Sequence, residues 1–360
     1  MKQFFKFGLI LVVLLIVYIF YLKVNSIDNK NTAHIQLKKT GQTKSYDENG
    51  NEVTDGSIKD DGYYQKGVSP SYTRNDTNEI VTDNLSGLMW QDNSDAITVM
   101  KPWLTQKNYD KCTGSNGQTQ DSSKCIDTSG DTAATYCKNL RLGGYNDWRL
   151  PTSDELMYIV DRSRLNPTLS DVFKNKRPYS YYWTSTPVVG DKEEAWMVSF
   201  DIGYLSESGK IYGNLVRCVR TNLTSVVSLA NSNRYIRNKD GIVFDIKTRL
   251  QWQDDYSDNG NRVKKAKWID AINYCENLKL GGYNDWRLPN FNELFYLANR
   301  SKANPAIDSV FKNTRSESYW SSTSLASKGN NAFVVYFDSG GGYLYDKPDF
   351  LYVRCVRGGK

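Results

Sequence analysis

The chain has 360 residues, 24% of them charged and 39% hydrophobic, and a net charge of +6 from 46 Lys and Arg against 40 Asp and Glu. This composition supports packed cores, at a length suited to about two domains, and excludes wholesale disorder. The basic surplus is too small to argue for nucleic acid. A single histidine, His34, lies outside every patterned region, which removes a key part from any imidazole zinc site, Ser-His-Asp triad or Cys-His dyad.

The first predicted element is an apolar run over 7–22, 16 residues with Lys2 and Lys6 ahead of it and Lys23 behind. A basic front end keeps to the cytoplasm and sends the rest of the chain out. The run falls between a signal-peptide core and a minimal membrane span. Tyr18, Phe20 and Tyr21 crowd its far end and favour an uncleaved anchor over 1–24, while Val24-Asn25-Ser26 leaves a cleaved signal as the alternative. No cysteine follows to take a lipid. Residues 25–71, polar with Gly and Asp clusters, read as a stalk.

From residue 72 onward the patterns are those of a folded domain. Residues 80–83 and 88–90 form a hairpin across Asn84 to Gly87. A helix over 133–140 is stopped by Gly143-Gly144. A second helix follows Pro151, with Thr152 capping it and Glu155 completing a capping box. Short strands follow over 181–185, 195–200 and 215–219, then a linker over 221–234. In the second half, Trp268, Ala271, Ile272, Cys275 and Leu278 recur at helical spacing over 268–278, and Gly281-Gly282 ends that helix. Helices followed by several short antiparallel strands predict an α+β fold.

The second half repeats the first. Residues 136–151 and 274–289 agree at 14 of 16 positions around Leu-Gly-Gly-Tyr-Asn-Asp-Trp-Arg-Leu-Pro. The Leu88-x-Trp90-Gln91-Asp92 run parallels Leu250-x-Trp252-Gln253-Asp254, and Val216-Arg217-Cys218-Val219-Arg220 parallels Val353-Arg354-Cys355-Val356-Arg357. Two homologous units follow, 72–220 and 235–360, as tandem globular domains. Six cysteines in an exported chain predict three disulfides. Each unit keeps an early and a late cysteine, so the duplication singles out Cys137 with Cys218 and Cys275 with Cys355. The remaining pair, Cys112 with Cys125, falls in a polar insertion of the first unit.

These strings resemble the family named after the C-terminal domain of the Legionella collagen-like adhesin, over nearly the whole of both units. Asp60-Asp61-Gly62-Tyr63-Tyr64-Gln65-Lys66-Gly67 resembles the usual lead-in to such domains. That family is similar to the C-type-lectin-like fold, which implies two tandem C-type-lectin-like modules, each with its first helix bonded through cysteine to its last strand. Trp268-x-x-Ala271-x-x-x-Cys275 resembles that helix, whereas the first unit keeps Ala133 and Cys137 but has Gly130 in place of the tryptophan. The lectin calcium motifs E-P-N, Q-P-D and W-N-D are absent, so calcium-dependent sugar binding is not implied. Arg149-Leu150-Pro151-Thr152-x-x-Glu155 also resembles a stretch of formylglycine-generating enzymes, which need a pair of redox-active cysteines that bind copper. Here each unit has one late cysteine with a structural partner.

In lectin-like folds the loops before the last strand form the ligand face. The resemblance therefore implies Asp338, Tyr343, Tyr345 and Asp346, with Asp201 and Tyr204 in the first unit, as ligand-binding candidates, and tyrosine beside polar groups suits sugar or protein contacts. Asp147, Trp148 and Arg149, with their copies Asp285, Trp286 and Arg287, read as structural, the tryptophan packing and the arginine pairing with the aspartate. Asp254, Asp255, Asp258 and Asn259 offer oxygen ligands for Ca²⁺ but lack the closing glutamate, so no metal or cofactor is expected. The expected function is non-catalytic recognition or adhesion outside the cytoplasm, with a glycan or an envelope partner. A structural or assembly role with a protein partner is the alternative.

Overall fold

The computed structural model describes residues 35–114, 121–221 and 234–359. The expected anchor, the start of the expected stalk and residues 222–233 of the expected linker lie outside the described residues. Among the described residues no helix is long and apolar enough to cross a membrane.

The architecture is α+β, mostly sheet with few helices. The helices the two units share are Ala133–Asn139 and Ser153–Met157 in the first and Trp268–Asn277 and Phe291–Leu297 in the second; the first unit adds Asp95–Thr98 and, in its insertion, Gln106–Thr113. The capping box expected at Thr152 and Glu155 forms, and Asn290 with Glu293 repeats it in the second unit. Such a box satisfies main-chain N–H groups that the first helical turn leaves open, which lets helices this short start cleanly.

In each unit the closing strand returns to the opening hairpin. Val219–Thr221 joins Leu88–Gln91, Ile80–Asp83 and Tyr72–Asn75 in one antiparallel sheet, and Val356–Arg357 joins Gln251–Gln253, Ile242–Asp245 and Tyr235–Arg237 in the other. The repeated Trp-Gln-Asp and Arg-Cys strings meet here. Gln91 accepts from the Cys218 N–H at 3.0 Å, and Arg217 donates to the Gln91 carbonyl at 2.7 Å and to Asp92 at 3.1 Å. Gln253, Cys355, Arg354 and Asp254 repeat the arrangement at 3.2, 3.0 and 3.2 Å. Arg217, Asp92, Arg354 and Asp254 are all fully buried, a placement that needs this many hydrogen bonds to offset desolvation. The three disulfides are those the duplication singled out: Cys112–Cys125, Cys137–Cys218 and Cys275–Cys355.

One expectation is corrected here. The first unit does have the helix-start tryptophan, but as Trp103 rather than at position 130. Trp103 donates its indole N–H to the Thr184 carbonyl at 2.8 Å, and Trp268 donates to the equivalent Ser321 carbonyl at 2.9 Å. The insertion with Cys112 and Cys125 separates Trp103 from its helix, so spacing alone hides it.

The two units are not independent beads. A ten-stranded sheet runs through both: Lys265–Ala266, Leu351–Tyr352, Ser318–Leu325, Lys328–Tyr336 and Gly341–Asp346, then Tyr204–Gly209, Glu194–Ser199, Tyr181–Pro187, Asn214–Leu215 and Met100–Lys101. The second list is the first in reverse, unit for unit. At the seam Gly342 pairs with Leu205 antiparallel, and both are the fourth residue after the equivalent Asp338 and Asp201. Equivalent residues opposite each other define a local twofold axis. One hydrophobic core lies across it, with Trp196, Val198 and Leu205 from the first unit and Phe291, Phe333 and Val335 from the second. Gly342 is required at the crossing, since a Cβ there would lie 2.7 Å from the Phe291 ring.

Residues 35–71 are not a stalk. Lys38, Thr40, Gln42, Asp60 and Asp61 are buried, and the segment lies as a strap over both units. Lys38 donates to Asp83 of the first unit at 2.7 Å, and Tyr64 donates to Glu276 of the second at 2.9 Å. Polar side chains are buried here because each finds hydrogen-bond partners in the units below, which a reading by local hydropathy cannot anticipate.

Candidate functional site

The Asp-Trp-Arg side chains pack and pair within the fold, but their pairing differs from the expectation. Arg149 does not bond Asp147; its guanidinium grips Glu155 at 2.7 and 2.6 Å, while Asp147 accepts from Arg220 of the closing strand at 2.7 Å. Arg287 likewise grips Glu293 at 2.7 and 2.6 Å, and Asp285 accepts from Arg357 at 2.6 Å. Trp148 and Trp286 are buried and donate to the Leu142 and Leu280 carbonyls. The turn therefore ties the helix after it to the closing strand through two ion pairs of opposite sense.

The ligand-face candidates are divided by the seam. Tyr204 and Tyr343 lie on the two strands that meet there, and Tyr343 donates to Glu207 across the seam at 2.7 Å. Burial and that glutamate push the Tyr343 hydroxyl well up. The Tyr204 hydroxyl meets that of Tyr181 at 3.1 Å. Asp201 and Asp338 sit in the preceding turns, their carbonyls accepting from Asn166 and Asn304 at 2.8 Å each. Tyr345 and Asp346 remain exposed, Asp346 accepting from Asn331.

The acidic loop does not gather its oxygens around one point. Asp254 is buried and taken by Arg237, Arg354 and the N–H groups of Lys312 and Asn313. Asp255 accepts from Ser257, Asp258 faces Tyr274, and the Asn259 amide donates to the Arg262 carbonyl. Among the described residues no group of three or more His, Cys, Asp or Glu is placed to hold a metal ion.

The twofold axis also makes two clefts, which the sequence reading missed. Each is bridged by an arginine reaching from one unit to the second helix of the other. Arg162 donates to Asn292 at 3.1 Å, and Arg300 donates to the equivalent Asp154 at 2.7 Å. Both arginines lie over phenylalanine rings, Arg162 at 4.0 Å from the Phe291 centroid and Arg300 at 3.6 Å from that of Phe295. Burial pushes the Arg162 guanidinium down to about 9, with Asp61 and Asp161 opposing.

The first cleft is filled by the strap. Asn292 donates to the Lys38 carbonyl at 2.9 Å, Ser324 N–H to Gln42 at 2.6 Å, and the Thr323 hydroxyl to Asp61 at 2.8 Å. Among the described residues the second is open, about 670 Å³, and walled by Thr152, Asp154 and Thr186 of the first unit, by Arg234 just ahead of the second, and by Arg300 and Asp308 within it. That volume lies within the usual range of ligand sites. One part of the strap's role is already played here. Arg234 binds Asp245 at 2.7 Å over the Tyr235 and Tyr296 rings, as Lys38 binds Asp83 over those of Tyr72 and Tyr158. The signal for the clefts lies in the repeat itself, in residues shared at equivalent places but lacking a role within their own unit.

A family model described as the Lcl C-terminal domain matches residues 79–220 and 241–357, one segment in each unit. No curated protein was found to match. The matched segments run from the opening hairpins to the closing strands and make up well over half of the 360 residues. Three disulfides and this match are consistent with an adhesin-like domain outside the cytoplasm. The chain belongs to the Lcl C-terminal domain family and carries two tandem copies of its domain.

Proposed function

We propose that this is a non-catalytic recognition or adhesion protein that works outside the cytoplasm and binds a glycan or an envelope partner. In this reading residues 7–22 tether it to the membrane or are removed as a signal, and each unit is a C-type-lectin-like module. The observation that carries it is the joining of two family domains through one sheet, each domain stapled from early helix to closing strand. Such a body presents loops rigidly in an oxidising setting. Cys218 and Cys355 would have to be reduced in a formylglycine-type oxidase, and both are bonded, which supports the non-catalytic reading.

The test is binding of the full chain to a glycan array and a heparin column at low salt. Retention that falls when Tyr204 and Tyr345 are replaced by Ala supports a glycan at the seam face. No retention on either support overturns the glycan version. The second reading, a structural or assembly role with a protein partner, is favoured by the open cleft beside Arg300.

A further inference from the structure

We propose that the sheet face over the seam is one composite platform for an uncharged, extended polysaccharide chain, laid across both units on Tyr181, Tyr204, Tyr336, Tyr343 and Tyr345. The proposal rests on the glycan reading and deepens it, naming the class of glycan and the surface that takes it.

The register puts these rings on one side of the sheet. In the first unit Tyr181 pairs with Ser199, and Ser199 with Tyr204. In the second Ser318 pairs with Tyr336 and Tyr336 with Gly341, while Tyr343 and Tyr345 lie opposite Val334 and Ala332. Paired residues share a face, and that face recurs at every second residue. Leu205 and Gly342, which join the halves, face the shared core on the other side. The tyrosines therefore form one row from Tyr181–Pro187 to Lys328–Tyr336, across neighbouring strands ~4.8 Å apart and ~19 Å in all. Tyr181 meets Tyr204, and Tyr336 meets Tyr343, edge to face at 6.5 Å between ring centroids.

The duplication supplies an internal control. At each of these places one copy has tyrosine and the other a small residue: Tyr181 and Ser318, Tyr336 and Ser199, Tyr204 and Gly341, Tyr343 and Ser206, Tyr345 and Ser208. Both copies fold alike, so the fold itself does not require a ring at any of them. Neither unit carries the row alone, and the two together carry it once.

The chemistry of the row selects the occupant. Tyrosine offers an apolar ring to the C–H faces of a sugar and a hydroxyl to its polar edge, at little entropy cost. Burial raises the hydroxyls of Tyr204, Tyr336 and Tyr343, and nearby groups add to it: Tyr181 and Asp201 at the first, Asp338 and Glu317 at the second, Glu207 and Glu194 at the third. Carboxylates beside the rings repel a polyanion, which leaves an uncharged chain. These strands lie inside the ten-stranded sheet, so the face presents rings and hydroxyls and no free edge for a peptide strand. A row this long suits several linked sugars rather than one.

The test is retention of the full chain on cellulose, chitin and β-mannan, with heparin and a glycan array read on the same preparation. Retention on at least one of the three uncharged polymers is expected, and it should hold as salt is raised. It should weaken about tenfold when Tyr181→Ser is combined with Tyr336→Ser, and about tenfold in the Tyr345→Ser chain. Each of these substitutions installs the residue that the other copy already carries at the equivalent place. Tyr283→Ser, exposed but off this face, should bind as the parent does. Retention indifferent to the row variants, or lost equally with Tyr283→Ser, overturns the platform while leaving a glycan site elsewhere. No retention on the three polymers also overturns it: binding to heparin or the array alongside leaves the glycan reading standing, and none there either overturns that reading as well.

Discussion

Replacing Asp61 with Asn tests whether the strap is part of the folded body. Asp61 is buried, accepts from the Thr40 and Thr323 hydroxyls at 2.5 and 2.8 Å, and among the described residues forms no ion pair. Burial pushes its carboxyl up from 3.8 to about 7, against the pull of those two hydrogen bonds. Between those values the folded chain keeps a proton that the unfolded chain releases. The Asp61 contribution to stability is therefore full below about pH 4 and is lost as pH rises to about 7. About three units at ~1.4 kcal/mol each make a loss of about 4 kcal/mol. Asparagine keeps the shape and the acceptor but not the charge. The Asp61→Asn chain should be about 4 kcal/mol more stable than the parent above pH 7, with the gap closing towards pH 4. Glu194 and Glu276 are also raised, chiefly by burial, but they are common to both chains and cancel in the comparison, whereas the neighbouring Asp60 charge is among the causes that raise Asp61 and its repulsion is relieved in the Asp61→Asn chain. Lys347, pushed down to about 7 by burial, acts above that pH in the opposite sense and likewise cancels. Urea unfolding followed by tryptophan fluorescence at several pH values reads the difference. Parallel pH curves for the two chains would refute the buried strap carboxylate.

Trp103→Ala and Trp268→Ala should each cost about 3–5 kcal/mol in the same assay. A cost for Trp103 far below that for Trp268 would show that the two indoles do not fill equivalent sites. Arg287→Ala breaks a pair 4% exposed on both sides and should cost about 3–5 kcal/mol, whereas Asp285→Ala, 57% exposed, should cost about 1 kcal/mol or less. Equal losses would refute the division of roles within the motif. Peptide mapping without reduction should recover Cys112–Cys125, Cys137–Cys218 and Cys275–Cys355 with no free thiol, and a link between Cys137 and Cys275 would refute the pairing. Replacing both Cys137 and Cys218 with Ala should cost about 2–5 kcal/mol.

Duplication, disulfide pairing and the helices that the two units share were legible in the sequence by itself, whereas Gln106–Thr113 in the insertion was not. Repeated strings force equal folds, one early and one late cysteine per copy leave one economical pairing, and a capping box such as Thr152 with Glu155 is local to four residues. Trp103 escaped because the insertion broke its spacing from Ala133 and Cys137. The partner of Arg149 escaped because Asp147 and Glu155 are both within reach in sequence, and only the helix start fixes which carboxylate faces it. The strap escaped because Lys38, Thr40 and Asp61 are polar in the way of a solvated linker, and their partners lie far along the chain. The tertiary structure alone decided that Leu205 meets Gly342, that the two copies therefore share a sheet and a core, and that one cleft is filled while its twin is open among the described residues. Edge strands pair through main-chain groups that every residue carries, so no side-chain pattern records which edges will meet.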